Sequence, residues 1–326
     1  MREGTFTRQN ADRWKAFERL LDTRSADPDT LADLYVQVTD DLSYARTFFP
    51  DAQATAYLNG LAARAHQQIY RLRREDRGRF VRFWRDELPR IVYAERRALA
   101  YAAAVFLIAF LIGALSGLGD PSFVRLIMGD GYVNMTLDNI ERGDPMAVYK
   151  QMNETAMSLG ITLNNVYVSF LAFALGALTS FGTAFVLFKN GVMLGAFQVF
   201  FYQHGVFAES VLTIWIHGTL EISAIILAGG AGFVIGNSIL FPGTYPRLTA
   251  FQRGAKRGVK LVAGLVPVFI IAGFLEGFVT RHTEMPIALS LLIILGSLAA
   301  IVWYFVVYPI RLHRRDIAAS PVLAHA

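Results

Sequence analysis

The chain has 326 residues, 54% of them hydrophobic and only 17% charged, with a mean hydropathy of +0.39 and a formal charge of +5. It contains no cysteine, which excludes disulfides, thiolate catalysis and Cys-ligated zinc or iron–sulfur centres. Charge is segregated, with 33 of the 57 Lys, Arg, Asp and Glu in residues 1–97, so an ordinary soluble domain is excluded and a polar module joined to a membrane domain is expected.

The first eight residues lack an apolar core followed by small residues, so no cleavable signal peptide is expected and the first apolar span acts as a signal anchor. Residues 5–22 form an amphipathic helix through Phe6, Trp14, Phe17 and Leu21, interrupted at Asp27-Pro28-Asp29. A second helix runs from Leu31 to Phe48 with Leu34, Val38, Leu42 and Ala45 on one face, and a turn at Pro50-Asp51 leads into a third through Leu58, Leu61, Ala65 and Ile69. His66 sits on the pattern of that helix and reads as structural. From Arg71 to Arg97 a basic segment carries Phe80, Phe83, Trp84, Leu88, Ile91 and Val92 on one side, with Arg73, Arg74, Arg77, Arg82, Arg85 and Arg90 largely elsewhere. It fits a helix at the inner membrane surface or the last helix of the head, and composition does not separate the two.

About six spans follow, near 98–118, 161–188, 191–207, 210–240, 258–280 and 286–308. Most reach the roughly 20 apolar residues that cross a bilayer core; the third is short and tilts or re-enters, and Gly229-Gly230 marks a kink in the long fourth. Three basic regions, Arg96-Arg97, the Phe241–Lys260 loop and Arg311–Arg315, fall on one side together with Lys189. Segment 119–160 faces them with Asp120, Asp130, Asp138, Glu141, Asp144 and Glu154 against Arg125, Arg142 and Lys150. Both termini are therefore expected in the cytoplasm. Short amphipathic helices are expected in 119–160, from Phe123, Leu126, Ile127 and Met128 and then Met146, Val148, Tyr149, Met152 and Met157.

The expected fold is all-α: a cytoplasmic helical head (1–97), a polytopic bundle (98–310) with the external segment 119–160, and a cytoplasmic tail (311–326). Small residues at four-residue intervals, among them Gly176, Ala228, Gly232, Gly236, Gly273 and Gly277, predict close helix packing and suit self-association equally. His217 and Glu221, one turn apart on the fourth span, and Glu276 on the fifth are the chemical signal, because a mid-membrane carboxylate costs roughly 2.5–3.5 kcal/mol unless it faces protein or water. Depth places all three in the outer half, with Asn164, Asn165, Gln198, Tyr202, Gln203 and His204 as further lining of an outward-facing polar cavity. One imidazole and two carboxylates form a divalent-metal type of set, so a metal ion enters as a candidate cofactor. The segment His217-Gly218-Thr219-Leu220-Glu221 is not HExxH, and no GxSxG, Walker A or supported GxGxxG occurs, so no catalytic residue is assigned. No basic stripe interleaved with aromatics points to nucleic acid.

The stretch His217-Gly218-Thr219-Leu220-Glu221-Ile222-Ser223-Ala224 through Gly229-Gly230-Ala231-Gly232 resembles the signature of the stage II sporulation protein M family. The head resembles the longer, non-sporulation members through Phe6, Trp14, Asp41-Leu42-Ser43-Tyr44-Ala45-Arg46 and Arg64-Ala65-His66-Gln67-Gln68-Ile69-Tyr70. The resemblance implies a bacterial membrane component without assigned catalytic residues, the sporulation member being associated with peptidoglycan-remodelling partners. Longer members sit beside MoxR-type ATPases, von Willebrand-type proteins and RDD-type membrane proteins. A non-enzymatic scaffold is thus the leading expectation. A transporter or channel using the polar cavity and a metal-dependent intramembrane hydrolase stand as alternatives.

Overall fold

A computed structural model of the chain describes residues 2–22, 28–71, 78–147, 154–280 and 285–319. Arg73, Arg74, Arg77, Val148, Tyr149, Lys150, Met152 and the end of the tail lie outside those residues, as does the side chain of Met157. Every regular element among the described residues is helical, and the chain divides into two compact units, Met1–Phe80 and Val81–Ala326.

The first unit is three helices, α1 (Glu3–Asp22), α2 (Pro28–Phe48) and α3 (Gln53–Arg71). Their apolar faces meet in one core in which Phe17, Val38, Ala45, Leu58 and Ala65 are fully buried. Phe6 packs against Trp14 and Tyr44 with ring centroids 5.5 and 5.1 Å apart. Asp41 anchors the α1–α2 contact, because Trp14 Nε1 donates to its Oδ2 at 2.7 Å and Arg13 pairs with the same oxygen. Between α1 and α3, Glu18 accepts from Tyr57 at 2.8 Å and pairs with Arg64. Those two hydrogen bonds hold the Glu18 carboxyl below its usual range. Burial first, and the Glu18 carboxylate second, push the Tyr57 phenol up to about 12, so it remains a donor at any physiological pH.

The second unit opens with a wide turn, Phe83–Glu87, and helix α4 (Leu88–Ala94). Leu88, Pro89 and Val92 are buried against the apolar helices, so the sequence from Val81 onward belongs to this unit and not to the head, whose expected end was residue 97. Pro89 explains the wide turn. It has no N–H for the Arg85 carbonyl, and the Leu88 N–H reaches back five residues to Phe83, which strands the Trp84 carbonyl as well. Tyr304 Oη donates to Trp84 O at 2.7 Å and Tyr308 Oη to Arg85 O at 2.9 Å, so both stranded carbonyls are satisfied from the last helix. That helix repeats the pattern, with a wide turn at Trp303–Val307 ahead of Pro309.

Among the described residues five helical stretches are long and apolar enough to cross a bilayer, Arg96–Gly119, Ser180–Gln203, Phe207–Leu240, Arg247–Val279 and Ile287–Ala319, with a shorter apolar helix at Thr162–Leu178. We label them α5 (Arg96–Gly119), α8 (Glu154–Ala174), α9 (Ser180–Gln203), α10 (Phe207–Leu240), α11 (Arg247–Ala263) with α12 (Val266–Phe274), and α13 (Ile287–Val302) with α14 (Tyr308–Ala319). Two amphipathic helices, α6 (Pro121–Met128) and α7 (Asp130–Glu141), follow α5; Asp120 caps the first by accepting from the Ser122 N–H at 2.8 Å. Val124, Val133 and Met146 pack with Phe200 and Phe201 of α9, so this segment lies against the bundle.

The packing fixes helix directions. Positions 106–117 of α5 meet 191–199 of α9 in the same order, and Gln203 Nε2 donates to Gly117 O at 3.1 Å, so these two helices run parallel. Ala172 and Gly176 meet Gly232, and Ser180, Thr183 and Leu187 meet Gly236, Gly232 and Gly229, so α10 is parallel to α8 and antiparallel to α9. The chain therefore traverses in alternate directions. One end, which we call the basic end, gathers the ion pairs Arg257–Glu95 (2.5 Å), Arg90–Asp316 (2.8 Å) and Lys260–Glu87.

Two expected boundaries move. The reversal between the second and third traverses falls at Leu175–Thr179, not after residue 188, and α9 begins at Ser180. Thr179 makes the turn with φ +94° and ψ +159°, a region nearly reserved for glycine that costs a threonine on the order of 1–3 kcal/mol. Lys189 is consequently not in a loop: it sits exposed inside α9, about 14 Å along the helix from Ser180, and reaches an interface only by snorkelling. The long α10 is a continuous helix through Gly229-Gly230.

The closest packing occurs at bare backbone. A Cβ placed on Gly195 would lie 2.1 Å from Phe110 O, and one on Gly113 would lie 2.2 Å from Val192 O. Gly195→Ala is therefore expected to destabilise the detergent-solubilised protein by about 1–3 kcal/mol or more in thermal unfolding. Gly296→Ala, where a Cβ meets open space, is expected to leave stability unchanged or raise it by about 0.5–1 kcal/mol. In the head, Asp41→Ala strands the buried Trp14 N–H and is expected to cost about 1–3 kcal/mol, read as loss of the head's unfolding transition.

Candidate functional site

The spacing of His217, Glu221, Ala224 and Ala228 puts all four on one face of α10, and each is buried. The same face continues to Gly232 and Gly236, where α8 and the start of α9 pack. On the facing helix the buried stripe is Ala272, Glu276 and Thr280. A wide turn at Leu275–Val279, in which Thr280 N–H bonds Leu275 O at 2.9 Å, presents Glu276 and Thr280 to the bundle.

Three polar contacts link three helices pairwise. His217 Nδ1 lies 2.9 Å from Thr280 Oγ1, joining α10 to the end of the 247–279 stretch. Thr280 Oγ1 donates to Leu275 O at 3.2 Å, which makes the imidazole Nδ1–H the donor toward Thr280. Thr162 Oγ1 donates to Glu276 Oε2 at 3.0 Å, joining α8 to the same stretch. Gly273 permits this, because a Cβ there would lie 2.8 Å from Thr162 Oγ1. Asn165 of α8 lies within reach of the Glu221 carboxyl of α10 and closes the triangle.

The triangle leaves something over. Glu221 and Glu276 are 4% and 5% exposed, and on each the second oxygen, Oε1, is buried with no hydrogen-bond partner. The two carboxyls are also near enough for their charges to interact. Two adjacent buried carboxylates with unsatisfied oxygens are costly as a doubly charged pair, so this is where a proton or a cation has the most to offer.

A cavity of about 340 Å³ opens at the end opposite the basic one, between the 143–146 turn, α10 and the start of α13. Asp144, Glu209, Thr213 and Ser290 give it polar walls, and Ile216 and Thr280 also line it. Thr280 is shared with the triangle, so His217 stands directly behind the cavity wall, bonded through that hydroxyl.

The residues proposed from sequence thus divide. His217, Glu221, Glu276 and Asn165 come together, while Asn164, Gln198, Tyr202 and His204 line neither the triangle nor this cavity. Gln198 is buried with an unpartnered Nε2, Tyr202 is exposed, and His204 Nδ1 lies 2.7 Å from Phe200 O. Among the packing positions, Gly176, Gly232, Gly236 and Gly273 meet neighbouring helices closely, Ala228 is fully buried, and Gly277 is half-buried in the wide turn. Thr162 and Thr280 were missed, because a membrane-helix threonine is usually spent on its own backbone and carries no distinctive spacing. Among the described residues no group of three or more His, Asp or Glu is arranged to hold a metal ion.

Apolar helices of spanning length, alternating in direction around a buried polar triangle, define a multi-pass helical membrane protein. The family profile described as Stage II sporulation protein M matches residues 102–281, more than half of the chain, and the chain belongs to that family. The matched range includes every member of the triangle. Residues 4–71, spanning the three head helices, match a second profile, described as a domain of unknown function (DUF8413). Among curated proteins and among solved structures nothing matches the chain.

If the Thr162–Glu276 bond ties the helices, Thr162→Val and Glu276→Gln are coupled. A double-mutant cycle by thermal unfolding is expected to give an interaction of about 0.5–1.5 kcal/mol. Additive effects would mean the two groups do not bond.

Proposed function

We propose that this protein is a non-enzymatic scaffold of the bacterial cytoplasmic membrane, with its head and both termini on the cytoplasmic side. Supporting this is the way polar groups are spent: the His217, Glu276 and Glu221 contacts each tie one pair of helices, as expected of a lock that fixes a bundle. The head has its own aromatic core and ion pairs, as expected of a docking module. The basic end, with Arg90, Arg257 and Lys260, fits the cytoplasmic face under the positive-inside rule. Family resemblance supplies the candidate partner, a MoxR-type ATPase.

A second reading has its own support. The unpartnered Oε1 atoms of Glu221 and Glu276, one layer behind a polar cavity, favour proton- or cation-coupled transport.

One pair of assays separates the two. Full-length protein in nanodiscs is expected to bind a purified MoxR-type ATPase, Glu221→Gln to bind equally, and removal of residues 1–80 to abolish binding. Proteoliposomes are expected to show no pH- or cation-dependent flux that Glu221→Gln or Glu276→Gln removes. Flux lost in both variants, with binding absent from the wild type, would establish the transport reading and overturn the scaffold.

A further inference from the structure

A groove of about 380 Å³ runs between α5, α10 and the α13–α14 stretch, in the part of the molecule that faces hydrocarbon. Its walls are apolar along almost their whole length, from Leu99 and Ala103 on one side to Ile301 and Phe305 on the other. The hydroxyl of Ser223, which also lines it, is already donated to Thr219 O at 2.7 Å. At the basic end the groove reaches Tyr93 and Arg96.

Its length matches one leaflet. The lining residues of the last helix run from Leu298 to Ile310, about 18 Å of helix. Half of a bilayer's hydrocarbon core is about 15 Å. A groove that begins beside an arginine and ends near mid-bilayer has the shape of one acyl chain with its headgroup at the interface. An empty groove in a bilayer would forfeit dispersion contacts along its whole wall.

Charge at the mouth chooses the headgroup. The nearby carboxylates are already taken, Glu87 by Lys260, Glu95 by Arg257 and Asp316 by Arg90. Arg96 pairs with no carboxylate among the described residues. Its Nη1 donates to Tyr93 O at 2.9 Å and its guanidinium lies 4.3 Å from the Tyr93 ring centroid, which orients it and leaves N–H groups for an anion. The Tyr93 ring is itself stacked on His313 at 3.8 Å, so the platform is fixed on both sides. A guanidinium held flat at the interface suits a phosphate diester.

The geometry points to a structural lipid site: one anionic glycerophospholipid from the leaflet at the basic end, its phosphate on Arg96 and one acyl chain in the groove.

The test is native mass spectrometry of the full-length protein released from nanodiscs containing phosphatidylglycerol and phosphatidylcholine of identical chains. Wild type is expected to retain one phosphatidylglycerol in preference to phosphatidylcholine by about fivefold, the discrimination one basic residue gives at a lipid surface. Arg96→Gln is expected to lose that preference, while Arg97→Gln, which does not line the groove, keeps it. Ala103→Phe, at an exposed position, is expected to fill the groove and abolish retention of either lipid with Arg96 intact. Equal retention of both lipids by the wild type, or an undiminished preference in Arg96→Gln, would overturn the proposal. So would a dimer that crosslinks through Ala103 and Leu298 and carries no lipid, because the groove would then hold a second copy of the chain.

Discussion

Helix backbones in this bundle touch where glycine removes the side chain, and most of the architecture depends on that contact. In hydrocarbon there is little hydrophobic gain from bringing two apolar helices together, so association rests on dispersion between surfaces that approach closely. Gly113, Gly191 and Gly195 give α5 and α9 such a surface, and Gly176 with Gly232 does the same where the chain reverses beside α10. With those contacts fixed, α10 is surrounded and its interior face becomes the centre of the molecule.

The polar triangle follows from that enclosure. His217 and Glu221 emerge on the most buried face of the most enclosed helix, and the threonines at positions 162 and 280 and Asn165 supply the nearest donors and acceptors. The arrangement leaves one oxygen of each carboxyl bare, a deficit a merely structural network would be expected to avoid. The tension between a closed set of helix ties and two unsatisfied oxygens is the chemical content of the site.

Much of this was legible in the sequence, and the failures have physical causes. The α-helical class, the head core built on Phe6, Trp14 and Phe17, and the shared face of His217 and Glu221 follow from periodicity alone. The reversal at Thr179 was not readable, because residues 173–188 carry no charge and no proline and the turn uses a threonine at a backbone angle where glycine is the usual signal. Lys189-Asn190 imitated a loop for the opposite reason: a polar pair inside a helix looks like its end. The cavity contributions of Asn164, Gln198, Tyr202 and His204 were inferred from depth, and depth says nothing about which way around a helix a residue points. Pro89 did carry a signal, since it deletes an N–H and leaves carbonyls for an outside donor, here the Tyr304 and Tyr308 hydroxyls.

The parallel pairing of α5 with α9 also sets an order of events during synthesis. The Gln203–Gly117 bond closes a loop of 86 residues. At roughly 5–20 residues per second the ribosome takes about 4–17 s to deliver the partner. Through that interval the glycine ridge of α5 is in the membrane without its mate, and two reversals of the chain must be completed before it is covered. The first helix to enter the bilayer thus waits for the third traverse before its ridge is covered, and the length of the intervening 120–179 segment sets that delay.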